Sequence, residues 1–543
     1  MIPTLVRLAL RAHRLGLVLS TIVALLFALG NVFGYAQISG DTPQERAVFA
    51  RQMEILGRQL SYFLPLPSEL ETLSGYLQWR HFGSLPIVYA FWALIAGSGA
   101  GRGDEERGLV PQWLAAGVPR LVYLASRVAA FAILCALSIA AMSAALILSS
   151  RAVDEPVAAG SVARQAVALL AFAVACFGVG LLVAQITGTR RASIGFGGAL
   201  LLALFMWNSW ARTNGAQDGV ALVSPFALYE RSQPLYSTGS LDVPSVVAML
   251  LAGIALVAMS ALAFARRDVG EALLRTRRAG TVSREPSRDP LLRLPVLASI
   301  DQQRLSILGW AVGLSIVSVF FISLTRTIVD QLQNASPVLR SFFERAGISA
   351  YDTFVGVIWG STILLLLSLY AIAQVNAWVS EEADGRLDTV LAQPVSRTRV
   401  VLERIAAVLV AGSVIVAVVA VVGTAAASSV GIELDRSRVA TAAALLVAVI
   451  LAFAGIGALL AAWKPRAAVP VLALVAIYSY FVDQFAPLFE WPEWIGDATI
   501  YGLFGAPFSE DVPLWPGPIS LVAIAVLGTV LATAAMRRRD VGR

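Results

Sequence analysis

Long stretches without a single Asp, Glu, Lys or Arg set the pattern of this chain, and twelve of them are prominent. They are Leu15–Tyr35, Leu85–Gly101, Val128–Ser150, Gln165–Thr189, Ala192–Ala211 and Val243–Ala265, followed by Leu305–Thr325, Thr353–Ser380, Ile405–Ile432, Val439–Trp463, Ala467–Val482 and Val512–Met536. Most reach the roughly 20 residues that cross a hydrocarbon core of ~30 Å as a helix. Without water nearby, backbone N–H and C=O groups must be satisfied within the segment, which a helix does. The pattern predicts an all-α polytopic membrane protein with about twelve transmembrane helices. Ahead of the first block, Arg7, Arg11 and Arg14 share one helical face and Leu5, Leu8 and Ala12 another, as in a short amphipathic helix lying in the interface. Pro290–Gln303 reads as its counterpart before the seventh block. Within the loop Ala36–Ser84, residues Phe49, Met53, Leu56, Leu60 and Phe63 alternate at spacings of four and three, which predicts a further amphipathic helix.

Composition agrees: 58% of the 543 residues are hydrophobic and 14% charged, far from the balance of a soluble protein. With the N-terminus cytoplasmic, the inner segments hold 28 of the 41 Lys+Arg and 14 of the 35 acidic residues. This is the positive-inside bias, so both termini are expected in the cytoplasm. The formal charge of +6 is then a topology signal, not a sign of nucleic-acid binding. Cys135 and Cys176 fall inside apolar blocks, and His13 and His81 are too few for a metal site. No small-residue cleavage site follows the first block, which is therefore expected to stay as a span.

The chain also repeats itself. The segment EERGLVPQWLAAGVPRLVYLASR begins at Glu105 and EADGRLDTVLAQPVSRTRVVLER at Glu382. At a constant offset Glu105 matches Glu382, Gly108 matches Gly385, Leu114-Ala115 matches Leu391-Ala392, Arg120 matches Arg397 and Arg127 matches Arg404. TRRA from Thr189 resembles KPRA from Lys464, and Pro225-Phe226 resembles Pro507-Phe508. RRDVG recurs at Arg266–Gly270 and Arg538–Gly542. The ordered matches predict two parallel-repeat six-helix halves. Residues 1–265 form the first, with the interfacial helix and the outer loop 36–84. Residues 305–543 form the second. The arginine-rich stretch 266–304, with Pro286, Pro290 and Pro295, is a cytoplasmic linker that ends in the second interfacial helix.

A Walker A loop needs a Lys directly after Gly so that its ammonium reaches the phosphates. The one lysine, Lys464, follows Trp463, so this sequence contains no such loop. What recurs instead is the Glu…Gly…Arg segment. Glu105, Glu106, Glu381 and Glu382 sit at helix C-terminal ends, where the helix dipole disfavours carboxylates. Compensation is expected from Arg107, from Arg386 or from a basic residue of the interfacial helices. Gly108 and Gly385 permit a sharp turn. Short helices are expected over Val110–Ala116 and Leu387–Gln393.

At these residues the chain resembles the type-2 ATP-binding-cassette (ABC) exporter permeases. GRLDTVLAQPVSR, followed by Arg404, is similar to that family's pattern after its second span, as is the RRDV ending after the sixth. The duplicated arrangement with a long outer loop resembles the permeases of tetronasin-type polyketide-antibiotic exporters. The resemblance implies a multi-pass permease in the bacterial plasma (inner) membrane, exporting hydrophobic, drug- or antibiotic-like compounds. It implies no cofactor in this chain, with ATP and Mg held by two copies of a cytoplasmic ABC ATPase subunit. On this view the chain is no enzyme by itself. Glu105, Glu106, Gly108 and Arg120, with Glu381, Glu382, Gly385 and Arg397, would couple ATPase motion to the spans through the short helices. The second-half set is expected to matter more, because Pro111 and Trp113 depart from the family's polar residues in the first. The loops holding Ser224-Pro225-Phe226 and Ala506-Pro507-Phe508 would form re-entrant helices. A substrate path between the halves would be lined by Phe91, Trp92, Phe205, Trp207 and Asn208, with Trp359, Tyr370, Tyr478, Tyr480 and Phe481.

Two other classes fit less well. A secondary transporter driven by an ion gradient also has parallel six-helix halves, but it usually needs ionisable groups inside the membrane. Asp483 is the main candidate. A membrane-embedded enzyme would need a His/Asp/Glu or Ser/His cluster, and none is visible in the sequence.

Overall fold

The computed structural model describes residues 2–59, 61, 63–214, 219–273, 295–333, 355–383, 385–486, 491–508, 512–513 and 515–539. Among these the regular structure is helical throughout. Twelve helices are long and apolar enough to cross a membrane. Spans 1 to 6 are Gly16–Ile38, Leu73–Glu106, Arg120–Ala152, Ala159–Ile186, Arg190–Thr213 and Val243–Arg266. Spans 7 to 12 are Pro295–Ile322, Ser361–Ala383, Arg397–Ser429, Arg436–Trp463, Pro465–Phe485 and Gly517–Arg538. The chain is an all-α polytopic membrane protein.

It divides into two compact units, Met1–Ser283 and Arg284–Arg543. The packing order inside them is the same. In the first, span 1 packs on span 3, span 2 on span 4, and span 4 on span 6. In the second, span 7 packs on span 9, span 8 on span 10, and span 10 on span 12. Glycines bring these helices together. A Cβ on Gly528 of span 12 would lie 2.6 Å from the backbone of Gly455 in span 10, and one on Gly455 would lie 2.7 Å from the carbonyl of Ala525. Gly178 and Gly253 occupy the same places on spans 4 and 6, with Cβ approaches of 2.9 and 3.0 Å.

Several expectations need correction. The amphipathic segment before span 1 is no separate element: a single helix runs from Ile2 to Ile38. Its one proline, Pro3, stands in the first turn, and Gly16, at the junction, costs a helix too little to break it. The counterpart before span 7 is likewise part of one helix, Pro295–Gln333, which Pro295 opens. Residues 290–294 of that expectation lie outside the described residues, as does most of the linker.

The loop helix is present over Pro43–Gln59. Thr42 and Glu45 start it by exchanging backbone-to-side-chain hydrogen bonds of 3.0 and 3.2 Å. Phe49 is buried against Tyr35 and Tyr76. The helix stops before Phe63, which lies in a turn ahead of Pro65 and Pro67, while Leu60 is outside the described residues. Of the two expected re-entrant helices, Pro225–Glu230 is helical. Pro507-Phe508 is a turn, with the Phe508 ring 5.4 Å from Trp359.

Candidate functional site

Span 2 reaches its end through a π-helical turn, Gly99–Gly103, and a last helical turn, Asp104–Glu106. The wider π turn carries Arg102 inward, where it is 1% exposed. Arg107 caps that turn, Gly108 follows in the left-handed region at φ +68°, and the helix Leu109–Ala115 leaves from it. Span 8 is α-helical to Ala383, and after it come Gly385 at φ +71° and the helix Arg386–Leu391. Both short helices stand within a residue or two of the expected bounds. No atom lies within 4 Å of a Cβ on either glycine, so the backbone angle alone selects glycine there. Gly385→Ala is expected to destabilise the second half by about 1 kcal/mol, measured by thermal unfolding in detergent.

Around these ends the charges are paired across distant parts of each half. Glu105, its side chain 2% exposed, lies between two buried arginines. Arg102 Nη1 donates to Glu105 Oε2 at 2.8 Å, and Arg267 Nη1 donates to the same oxygen at 3.0 Å. Arg267 Nη2 donates to Oε1. Further guanidinium hydrogens reach Thr187 O, Glu271 O and Gln185 Oε1 at 2.7 to 3.0 Å, while Arg102 Nε is buried without a partner. Asp104 accepts from Tyr123 Oη at 2.7 Å and pairs with Arg127 at 2.9 Å and Arg107 at 2.6 Å. Glu106 Oε1 accepts from the backbone N–H of Arg190 at 2.7 Å, so its carboxylate sits at the positive end of span 5. Arg120 Nη1 donates to the carbonyls of Phe264 and Arg267 at 2.9 and 2.6 Å, closing the end of span 6.

The second half repeats three of these pairings, with Val379 and Ala383 standing where the first half has Arg102 and Glu106. Arg539 pairs with Glu382 through both guanidinium nitrogens. Arg404 Nη2 donates to Glu381 at 2.6 Å. Arg397 Nη1 donates to the carbonyls of Met536 (3.1 Å) and Arg539, closing span 12 as Arg120 closes span 6.

The compensation expected from Arg107 comes from elsewhere. Arg107 serves Asp104, not the glutamates. Glu105 and Glu382 are held by Arg267 and Arg539, the second arginines of the two RRDV segments, 162 and 157 residues away. Sequence reasoning found the RRDV repeat without assigning it a partner. The usable signal was its recurrence in step with Glu…Gly…Arg. Asp540 and the residues after it lie outside the described residues.

The residues expected along a substrate path separate by burial. Trp359, Tyr370, Phe205 and Asn208 are enclosed within their own halves. Trp359 meets Phe508, Tyr370 meets Trp310, and Phe205 meets Phe63 and Phe226. Asn208 Nδ2 donates to Glu230 Oε1 at 2.8 Å. Trp92 is half-buried against Tyr89 and Phe131. Tyr480 is half-buried, and Phe481 stands 4.6 Å from Phe485. Phe91, Trp207 and Tyr478 keep large exposed faces.

Residues 292–537 match the family model described as "Multidrug efflux system permease Rv1217c, C-terminal domain". The matched stretch covers somewhat under half of the chain. No curated protein matches the chain significantly.

Proposed function

We propose that this chain is the membrane-spanning permease of a multidrug exporter of the ABC type, powered by separate cytoplasmic ATPase subunits. The observation that carries the reading is the duplicated element at the ends of spans 2 and 8. In each half an ion-paired glutamate, a left-handed glycine and a short helix follow one another and are tied to the RRDV segment. A short helix anchored through buried charges is a rigid lever. Motion applied to it passes to spans 2 and 6, or 8 and 12, instead of being lost in a loose loop. The match of the second half to a multidrug efflux permease model supports the transport class, and the missing Gly-Lys pair supports an engine on another chain.

In this reading the short helices dock on two ATPase subunits, with the termini cytoplasmic and the protein in the bacterial inner membrane. ATP and Mg belong to those subunits, and this chain is not catalytic. Glu381, Glu382, Gly385 and Arg397, with Glu105, Glu106, Gly108 and Arg120, hold and orient the two levers. Phe91, Trp207 and Tyr478 offer exposed aromatic area to hydrophobic compounds.

The test is reconstitution. Purified alone, the chain should hydrolyse no ATP. Co-expressed with an ABC ATPase subunit, it should copurify with two copies and export dyes only with ATP. In that complex Arg397→Ala should lower transport several-fold more than it lowers basal ATP hydrolysis, because its loss frees the end of span 12 without touching the nucleotide site. Export driven by a proton gradient without ATP, or unchanged transport by the variant, would overturn the respective claim.

A further inference from the structure

The KPRA and TRRA segments that open spans 11 and 5 bring Asp483 into register with Asn208. The two positions are electrostatically unlike. In the first half the polar group at this level is closed: Asn208 is fully buried and donates to Glu230, and Glu230 is paired with Arg212. Arg212 Nε in turn donates to Ser61 O at 2.7 Å. Every charge there has an opposite charge beside it.

In the second half the register position itself carries the carboxylate. Asp483 Oδ2 accepts from Ser361 Oγ and from Gln484 Nε2, each at 2.9 Å, and both donors are neutral. Among the described side chains, which do not include that of Arg326, no ion pair reaches it. The side chain lies two residues from the end of a membrane-spanning helix and is partly exposed. Tyr480 sits about one turn back on the same face.

An ionised side chain within a span is costly unless something pairs with it, and such residues face a functional partner. A carboxylate with neutral hydrogen-bond donors, and with the half-buried Tyr480 one turn back, suits a dispersed positive charge. The carboxylate supplies attraction, and the Tyr480 ring supplies area and cation–π contact. A bare metal ion would require more oxygen ligands than this position offers. We infer that Asp483 is the recognition point for the positive centre of a lipophilic organic cation, and that the chain's substrates include such cations. The inference rests on the export reading for its substrate class. It locates recognition in the second half, where Arg212 and Glu230 have no counterpart among the described residues.

The test uses the purified full-length chain in detergent and two ions of the same shape, tetraphenylphosphonium and tetraphenylborate, with binding followed by titration calorimetry. The parent should bind tetraphenylphosphonium. Asp483→Asn, which keeps an acceptor for Ser361, should weaken that binding about tenfold or more while leaving or improving the affinity for tetraphenylborate. Asp483→Glu should restore most of it. A parent that binds no cation, an Asp483→Asn variant that binds it as the parent does, or an equal loss for both ions would each overturn the inference. Binding involves no ATPase, so loss of the ATP-driven reading would leave a positive result standing. A failed titration, conversely, would leave ATP-dependent export of uncharged compounds untouched.

Discussion

Glu105→Ala should be the most damaging single change at the ion-paired ends of the spans. It leaves Arg102 and Arg267, both nearly inaccessible to water, facing each other without the carboxylate that separates them. Removing one partner of a buried ionic group costs about 3–5 kcal/mol, because the remaining charge is neither solvated nor paired. The expected result is a collapse in the yield of folded protein and a large fall in Tm in detergent. At Glu382 the equivalent pair is 18% and 23% exposed, so water compensates part of the loss and Glu382→Ala should cost clearly less. Charge exchange separates the two further. Glu382→Arg with Arg539→Glu should recover part of the stability, short of the bonds that Arg539 makes to the carbonyls of Ala461 and Ala462. Glu105→Arg with Arg267→Glu should not, because Arg102 would then face a second arginine on its own helix. Equal losses at the two glutamates would refute this reading of the burial difference. The contrast also bears on which half matters. The expectation that the second-half residues weigh more in coupling concerns transport, whereas the structure makes the first-half residues weigh more in stability.

Gly528→Val is the second change expected to have a large effect. A Cβ there meets backbone atoms of Gly455 at 2.6 and 2.7 Å, and backbone cannot rotate aside as a side chain can. Spans 10 and 12 would have to separate along the contact, losing dispersion contacts that in a membrane no water-driven term replaces. Overpacking of this kind costs about 1–3 kcal/mol in ordinary cores, and a backbone clash places it at or above the upper end. Gly253→Val should cost less, since Val174 is among its first contacts and can yield. Gly309→Val, on span 7 with open space around it, should change Tm little and serves as the control. Differential scanning fluorimetry of the four proteins in one detergent ranks them, and a Gly309 variant as unstable as Gly528→Val would refute the packing argument.

Much of this was visible along the chain, for a definite physical reason. Whether a segment crosses a bilayer depends on the summed transfer free energy of about twenty neighbours, a local quantity, and all twelve charge-free blocks became helices of spanning length. Gly108 and Gly385 were readable because a left-handed residue leaves a residue-type mark of its own. The short helices after them followed from the same mark.

What stayed hidden depends on where two distant stretches meet. Sequence showed that Glu105 and Glu382 stood at unfavourable helix ends, but not that Arg267 and Arg539 would reach them, because only the packing of spans 2, 4 and 6, or 8, 10 and 12, brings those ends together. The π turn that draws Arg102 inward, the enclosure of Trp359 and Tyr370, and the closure of Asn208 against Glu230 are likewise tertiary decisions. Hydrophobic length and residue type determined that the described residues hold twelve helices able to cross a membrane, in two related halves. The pairing of each buried charge was decided by which helix ends the glycine contacts allow to meet.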